Sequence, residues 1–498
     1  MQMLYFRALF GDTANRKVLN VFSRTALLVL AIALLLRLLF ALPVLLHPER
    51  SFVPGDSERY HRLAMNIAFR QRFSTDDEPY FLRPPTYPVF LALLYSPFGA
   101  DARVAVIAQV ALSVATAMLV GMLTRMLFGN GYMHAIILFA INPLSIAMCV
   151  VLMSETLFCA LICGALIVFL QGCFWHARNN GRNAIGWFVA CGVLVGIAAL
   201  CRSVAIGILP LLAALALFAC RRCSIRLRAA QSLALVFAAL LVITPWLFRN
   251  RVYLGRWLID INGQVTLVFF ASRVLSESHG ISGRESDEML LKLASKRFGW
   301  SYTSSDAANL HIFCEHHPVK AIQLSQVAQH IVLAEWVYSL HYYLRGCLLM
   351  WLPFVSYSTW VGTLYGKVPT DGIGGLSAEV LRRLLKLKFG EAFELAMRER
   401  FGRYPLVTLL WLLTLFVELC VYAFAIVGLL AIRRNAFTIS LIIAVIIYFT
   451  LTGGIAGHFA LSRLRMPIEP LLCAASGYGL HFLITRAMGA SSDAARVE

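Results

Sequence analysis

The chain has 498 residues, 59% of them hydrophobic and 14% charged, with a net charge of +18. That balance lies well outside soluble globular usage, and several apolar runs exceed the roughly 18 residues needed to cross ~30 Å of hydrocarbon. The basic excess sits in short loops between those runs, as the positive-inside bias produces, so no nucleic-acid partner is expected. The twelve cysteines are scattered, mostly within apolar runs, and do not form a disulfide framework.

In chain order, residues 1–24 carry Arg7, Arg16, Lys17 and Arg24 and read as a cytoplasmic N-terminus. Thr25–His47 is a first span, retained as an anchor rather than cleaved. The stretch from Pro54 to Pro88 is too polar for hydrocarbon, since Asp56, Glu58, Asp76, Asp77 and Glu78 stand among Arg59, Arg62, Arg70, Arg72 and Arg83. Within it, Ser57–Gln71 has helical spacing, with Tyr60, Leu63, Ala64, Ile67 and Ala68 on one face. Such a helix is expected to lie flat in the interface, with Asp56 at or just before its first turn. Arg83-Pro84-Pro85 breaks any helix, and Thr86–Phe98 is apolar but short, an interfacial or re-entrant piece.

Val104–Phe128 then crosses inward and Tyr132–Val151 outward, with a kink at Asn142-Pro143. Glu155 stands at the turn into Thr156–Trp175, and the loop carrying Arg178 and Arg182 is cytoplasmic. Ala184–Cys201 and Ser203–Cys220 form a tight hairpin with Arg202 at its outer tip, followed by Arg221, Arg222, Arg226 and Arg228 on the cytoplasmic side. Ala229–Phe248 leads outward to Arg249 and the largest non-spanning region. That region holds an amphipathic segment Ser286–Phe298, a run at 347–362 apolar enough to enter the membrane, the glycine-rich 372–375 and a basic stretch Ala378–Arg403. Leu406–Ile432 and Phe437–Gly453 flank Arg433-Arg434, which places His458–Pro470 outside ahead of a last span, Leu471–Leu483.

The expected fold is an all-α polytopic membrane protein of about ten to twelve spans. Its parts are a cytoplasmic N-terminus (1–24), a transmembrane module (25–248) with a first outer loop (48–103), an outer-face region (249–404), C-terminal helices (405–485) and a cytoplasmic tail (486–498).

Asp56 is the first candidate for chemistry. Asp before a helix is a favoured cap, and the helix terminus would keep it ionised, as a general base or metal ligand must be. Glu155, among apolar neighbours at a span boundary, costs free energy unless it faces water or a polar cavity. Arg83, Arg249, Arg251, Arg463 and Arg465 fall in outer loops against the charge bias. They suit either lipid headgroups or a bound phosphate, for which a planar bidentate donor is well matched. Arg83 and Arg465 precede prolines that stiffen their backbone. Arg59 and Tyr60, beside Asp56, are read as substrate contacts, and His458 as a residue that orients substrate or simply ends a span. His316-His317 has no partner at metal-ligand spacing, and no P-loop, GxSxG or HExxH is present.

Taken together, GDSERYHRLAMNIA, FLRPPTYPVFLALL, NPLSIAMCVVLMSETLF, PWLFRNRVYLG and SRLRMPIEPLLCAASGYGL resemble, in order, the GT-C glycosyltransferases of family 39 type. That clan includes protein O-mannosyltransferases and the aminoarabinose transferases that modify lipid A. The resemblance covers most of the chain except roughly 270–400. It implies a GT-C-like bundle with interfacial helices in the first outer loop. It also implies inverting transfer of a sugar from a polyprenyl-phosphate carrier to a lipid, glycan or protein acceptor, at the periplasmic face of a bacterial inner membrane. On this resemblance Asp56 matches the catalytic aspartate, Glu155 the second acidic residue, Arg83 a basic residue on the donor phosphate, and Arg463 and Arg465 the basic cluster serving the lipid phosphate. The chain departs from the protein mannosyltransferases in having Asp-Ser at 56–57 rather than two acids, and in showing no large soluble C-terminal domain. Family members differ in metal use, so a divalent ion stays unassigned. The residues leave two other readings open: a lipid-linked oligosaccharide ligase or polymerase, which the 249–404 region would suit, and a polytopic transporter.

Overall fold

The computed structural model describes residues 23–53, 55–76, 78–178, 184–219, 224–352, 405–432, 435–456 and 461–494, with isolated positions between 383 and 398. Asp77, Arg182, Arg221, Arg222, Arg433, Arg434, His458 and the glycines at 372–375 lie outside the described residues, as do 353–362 and most of 378–403. Among the described residues all regular structure is helical, and β pairing is limited to one bridge between Ser74 and Pro79.

Helix α1 (Arg24–Leu46) starts where Ser23 accepts the Ala26 N–H. It turns Leu28, Leu35 and Leu39 outward with no protein to cover them, a surface that water would not tolerate over such length and lipid would. The first loop supplies α2 (Asp56–Arg70) and α3 (Thr86–Phe98), then α4 (Ala102–Phe128) returns through the bundle. Asn142-Pro143 divides the next span into α5 (Tyr132–Ala140) and α6 (Pro143–Cys149), bent by 53°. Proline at the first position of α6 and an Asn142 side chain that accepts the Ser145 N–H at 2.8 Å favour a fresh start there.

The break orphans carbonyls at the end of α5, and in an apolar interior they need donors. Arg37 of α1, fully buried, supplies them: Nη1 donates to Ala140 O at 2.8 Å and Nη2 to Phe139 O at 3.2 Å. The hydroxyls of Ser113 and Ser145, each at 2.9 Å, complete the set. A guanidinium inside a span is costly unless satisfied in this way.

The bundle continues with α7 (Glu155–Arg178), α8 (Ile185–Cys201), a short 3-10 turn (Ser203–Gly207), α9 (Ile208–Ala219) and α10 (Ile225–Leu254). Gly192 and Gly196 let α8 lie directly on α10, since a methyl group at Gly192 would come within 2.2 Å of Leu235 O. Helix α10 runs past the expected end at Phe248 to Gly255, whose φ of +68° terminates it. Four aromatic rings gathered around Arg249 hold this extra turn in place.

The non-spanning region expected after Arg249 is a layer of helices: α11 (Asn262–His279), α12 (Gly283–Phe298), α13 (Ser304–Ala308), α14 (Leu310–His316), α15 (Pro318–Ala334) and α16 (Trp336–Met350). Helix α12 begins three residues before the apolar pattern because Ser282 and Glu285 form a reciprocal capping box. The layer has its own core of Val265, Val268, Leu290, Phe313 and Leu324, and Leu63, Phe81 and Leu82 of the first loop are part of that core. The early and late polar regions are therefore one packed unit. Helices α17 (Pro405–Ala431) and α18 (Ala436–Gly454), a 3-10 segment (Leu461–Ile468) and α19 (Glu469–Ala494) complete the described chain. Helix α19 starts close to Pro467 and extends well beyond the expected Leu471–Leu483.

By length and composition six described helices can cross a bilayer, or seven if the bent α5–α6 pair counts as one span, and α8 and α9 are shorter apolar helices. None of the ten described cysteines is in a disulfide, while Cys220 and Cys223, spaced as C-x-x-C, lie outside the described residues.

Candidate active site

The loop before α7 is anchored from several directions. Leu152 N–H donates to Ser51 O at 3.0 Å, and the buried Gln109 amide donates to the carbonyls of Cys149 and Val151 at 3.2 and 2.7 Å. This fixes Glu155, the first residue of α7, at 1% exposure. Its carboxylate pairs with Arg202 Nη1 at 2.6 Å and lies 3.9 Å from Arg463 Nε.

Asp56 is the first helical residue of α2, not its cap. Gly55 fills the cap position with φ +82°, a conformation that favours glycine. The Asp56 side chain is thereby free to accept from Arg83 Nη2 at one oxygen and from Arg463 Nη1, at 2.9 Å, at the other. Burial works to raise its pKa, but Arg83 and Arg463 outweigh that and hold the carboxyl below the usual carboxylate range. Burial likewise opposes the charge on Arg83, and Asp56 more than restores it.

These pairs border a cavity of about 330 Å³, within the range of small-ligand sites. Arg83, Arg202 and Arg463 line it together with Glu155 and Tyr60. The rest of the lining is largely apolar and includes Phe158, Val204, Phe449, Ile455 and Leu464. Asp56 itself is not in the wall and stands behind Arg83 and Arg463. Tyr60 carries the Arg83 guanidinium over its ring, 5.8 Å from the centroid, and its hydroxyl reaches Ser154 Oγ at 3.4 Å.

Three expected substrate contacts are elsewhere. Arg465 is 0% exposed and serves a separate buried cluster, paired with Glu418 at 2.8 Å and Glu469 at 2.5 Å. It also donates to Trp351 O at 3.0 Å, so a 3-10 segment that presents Arg463 to the cavity turns Arg465 into the bundle. Arg249 is held among Phe73, Phe81, Trp246 and Tyr253, at 4.6 to 5.4 Å from their ring centres, and does not line the cavity. Arg59 donates to Glu315 at 2.7 Å and contacts His311 Nδ1 at 3.1 Å, which clamps α2 to α14. His458 lies outside the described residues.

Other residues at the site gave little sign in the sequence. Arg202 was legible only as an arginine at an outer tip, against the charge bias. Asn262, whose Oδ1 accepts from Arg83 Nη1 at 2.8 Å, and Asp260 come from a turn with no motif. Among the described residues no group of three or more His, Cys, Asp or Glu side chains is disposed to hold a metal ion. The donor set around Asp56 does not fit one either, because both its oxygens accept from guanidinium groups.

Fold and site define a polytopic helical membrane protein with a cavity lined by ion-paired and apolar side chains. Residues 82–248 match the family model described as dolichyl-phosphate-mannose-protein mannosyltransferase. Among solved structures, the chain is similar to the Archaeoglobus fulgidus oligosaccharyltransferase in its apo form. The match has 13% identity and a TM-score of 0.48, covering 93% of this chain and 52% of that one. It is also similar to ArnT from Cupriavidus metallidurans bound to undecaprenyl phosphate, at 16% identity and a TM-score of 0.41, covering 94% of this chain and 80% of that one. The chain thus spans about half the length of the oligosaccharyltransferase. No curated protein matches it.

Proposed function

We propose that the chain is an inverting glycosyltransferase that moves a sugar from a polyprenyl-phosphate carrier to an acceptor hydroxyl or phosphate, at the periplasmic face of a bacterial inner membrane. The observation that carries this reading is Arg463, which bonds Asp56 at 2.9 Å and approaches Glu155 at 3.9 Å on the rim of one cavity. Two carboxylates far apart in sequence, held by one guanidinium beside apolar lining residues, suit a ligand that is anionic at its head and greasy behind it. The family match adds a prior for dolichyl-phosphate-linked chemistry, and ArnT was solved with undecaprenyl phosphate.

Such a reaction breaks the bond between the anomeric carbon and the phosphate oxygen as an acceptor oxygen attacks from the opposite face. Negative charge grows on the leaving phosphate, and fixed cations there stabilise the transition state more than the ground state. Arg83, Arg202 and Arg463 are the candidates. Each is already paired with a carboxylate, so binding the phosphate exchanges one anion for another at the guanidinium. As Arg83 and Arg463 turn to the phosphate, Asp56 is uncovered to orient the acceptor and receive its proton. Glu155 holds Arg202 and Arg463 against the anion.

The test is incubation of purified protein with a panel of polyprenyl-phosphate sugars, followed by detection of free polyprenyl phosphate. Transfer that depends on Asp56 supports the reading. Product formation undiminished in Asp56→Asn, or substrate movement across vesicles with no sugar transfer, would remove it.

A further inference from the structure

The ion pairs account for the cavity's arginines and for Glu155, but a second carboxylate lies in its wall. Asp260 is 6% exposed, lines the cavity, and has a different neighbourhood from Asp56 and Glu155. It hangs from the turn between α10 and α11, which is rigidly held. Trp246 Nε1 donates to Ile259 O at 2.8 Å, and the Asn250 amide donates to the carbonyls of Leu258 and Ile259 at 2.9 Å each.

Neutral groups alone donate to Asp260. Its Oδ1 accepts the Asn262 N–H at 2.9 Å, with the Ser203 hydroxyl and the Gly263 N–H as further donors. Among the described residues it forms no ion pair, and burial pushes its pKa up. Ser203, Asn262, Gly263 and Thr266 line the same wall. Asn262 gives its oxygen to Arg83, and its amide N–H groups, like the Thr266 hydroxyl, have no protein partner among the described residues.

This wall therefore offers a carboxylate acceptor, an amide donor and hydroxyls of both senses, with Arg83 the cation at its edge, bonded to Asn262 and already paired with Asp56. Phosphate would meet Asp260 as a like charge, whereas vicinal hydroxyl groups would find both donors and acceptors. We propose that Asp260, Asn262, Thr266 and Ser203 form a subsite for the hydroxyl groups of the transferred sugar. This inference rests on the glycosyltransferase reading and orients the donor. The phosphate lies toward Arg83, Arg202 and Arg463, and the sugar ring lies against the first turn of α11.

The experiment measures binding of decaprenyl phosphate and of its mannosyl, glucosyl, galactosyl and arabinosyl esters to the full-length protein in detergent. Wild type, Asp260→Asn and Thr266→Val are compared, with thermal melting as the folding control. Wild type should bind at least one glycosyl ester about tenfold or more tighter than decaprenyl phosphate, the scale of one or two well-placed hydrogen bonds. Both variants should lose most of that preference while keeping the wild-type affinity for decaprenyl phosphate. Equal weakening toward every ligand would reduce Asp260 to a frame residue and overturn the proposal. So would a wild type that prefers none of the esters to decaprenyl phosphate, or variants that keep the full preference. A wild type that binds neither class would sink the glycosyltransferase reading itself, a result distinct from the others.

Discussion

Arg463 donates to Asp56 at 2.9 Å across 407 positions of sequence, and the same guanidinium lies 3.9 Å from Glu155. One side chain thus ties the first loop, the start of α7 and the segment before α19 into a single rim. Removing a member of this rim should affect chemistry before it affects folding, because each remaining charge keeps another partner. Asp56→Asn is expected to cut turnover by about 100-fold or more. Release of polyprenyl phosphate would show this, and donor binding by the same variant should persist.

The neighbouring arginine predicts the reverse. Arg465 is sealed in the bundle with Glu418, Glu469 and two backbone carbonyls. Substituting it by Gln leaves buried carboxylates uncompensated, a loss of about 3 to 5 kcal/mol. Denaturant titration in detergent should show a large fall in stability. A variant that melts like wild type but fails to bind donor would restore Arg465 to the substrate site.

Arg249 makes a third case. Its aromatic surroundings include Phe81, two residues before Arg83, and Phe81 O accepts the Ile261 N–H at 3.1 Å. Arg249→Ala should cost about 1 to 2 kcal/mol in stability and slow turnover through misplacement of Arg83. Arg249→Lys should recover part of both. Kinetics that separate kcat from KM, set beside melting curves, would check this.

The two aspartates of the site give opposite pH signatures. Asp56 has a depressed folded pKa, so its contribution is present above the ordinary Asp value of about 3.9 and is lost as pH falls through the folded value. For Asp260 burial raises the folded pKa, so its contribution is full below that ordinary value and is lost as pH rises through the folded value. Asp260→Asn should therefore flatten the decline in stability as pH rises above about 4. Melting temperatures at a series of pH values would measure the slope, and an unchanged slope would count against this assignment.

Much of this arrangement could be read from the residue order alone. Thr86–Phe98 begins and ends as expected, because Arg83-Pro84-Pro85 excludes helix before it and Gly99, at φ +81°, ends it. The Asn142-Pro143 break follows from local chemistry in the same way. Asp56, Glu155, Arg83 and Arg463 stood out as charges in places where charge is expensive or against the bias. Arg465 carried the same signal for a different reason. A lipid-side penalty can be met by a buried partner as well as by a ligand, and nothing local distinguishes the two. Asp260 and Asn262 were silent because a turn rich in polar residues is ordinary, and their value comes from Arg83, which no pattern connects to them. The length of α10 was also hidden, since the rings that support its last turn come partly from the first loop.

The bond from Arg463 to Asp56 has a consequence for biosynthesis. Until translation has passed residue 463, a nascent chain has its first loop, α7 and the α11 layer but lacks the guanidinium that joins the two carboxylates. Ribosome-bound intermediates already threaded into the bilayer would thus hold an unfinished pocket. Competence would arrive late, when the closing hairpin of the bundle docks.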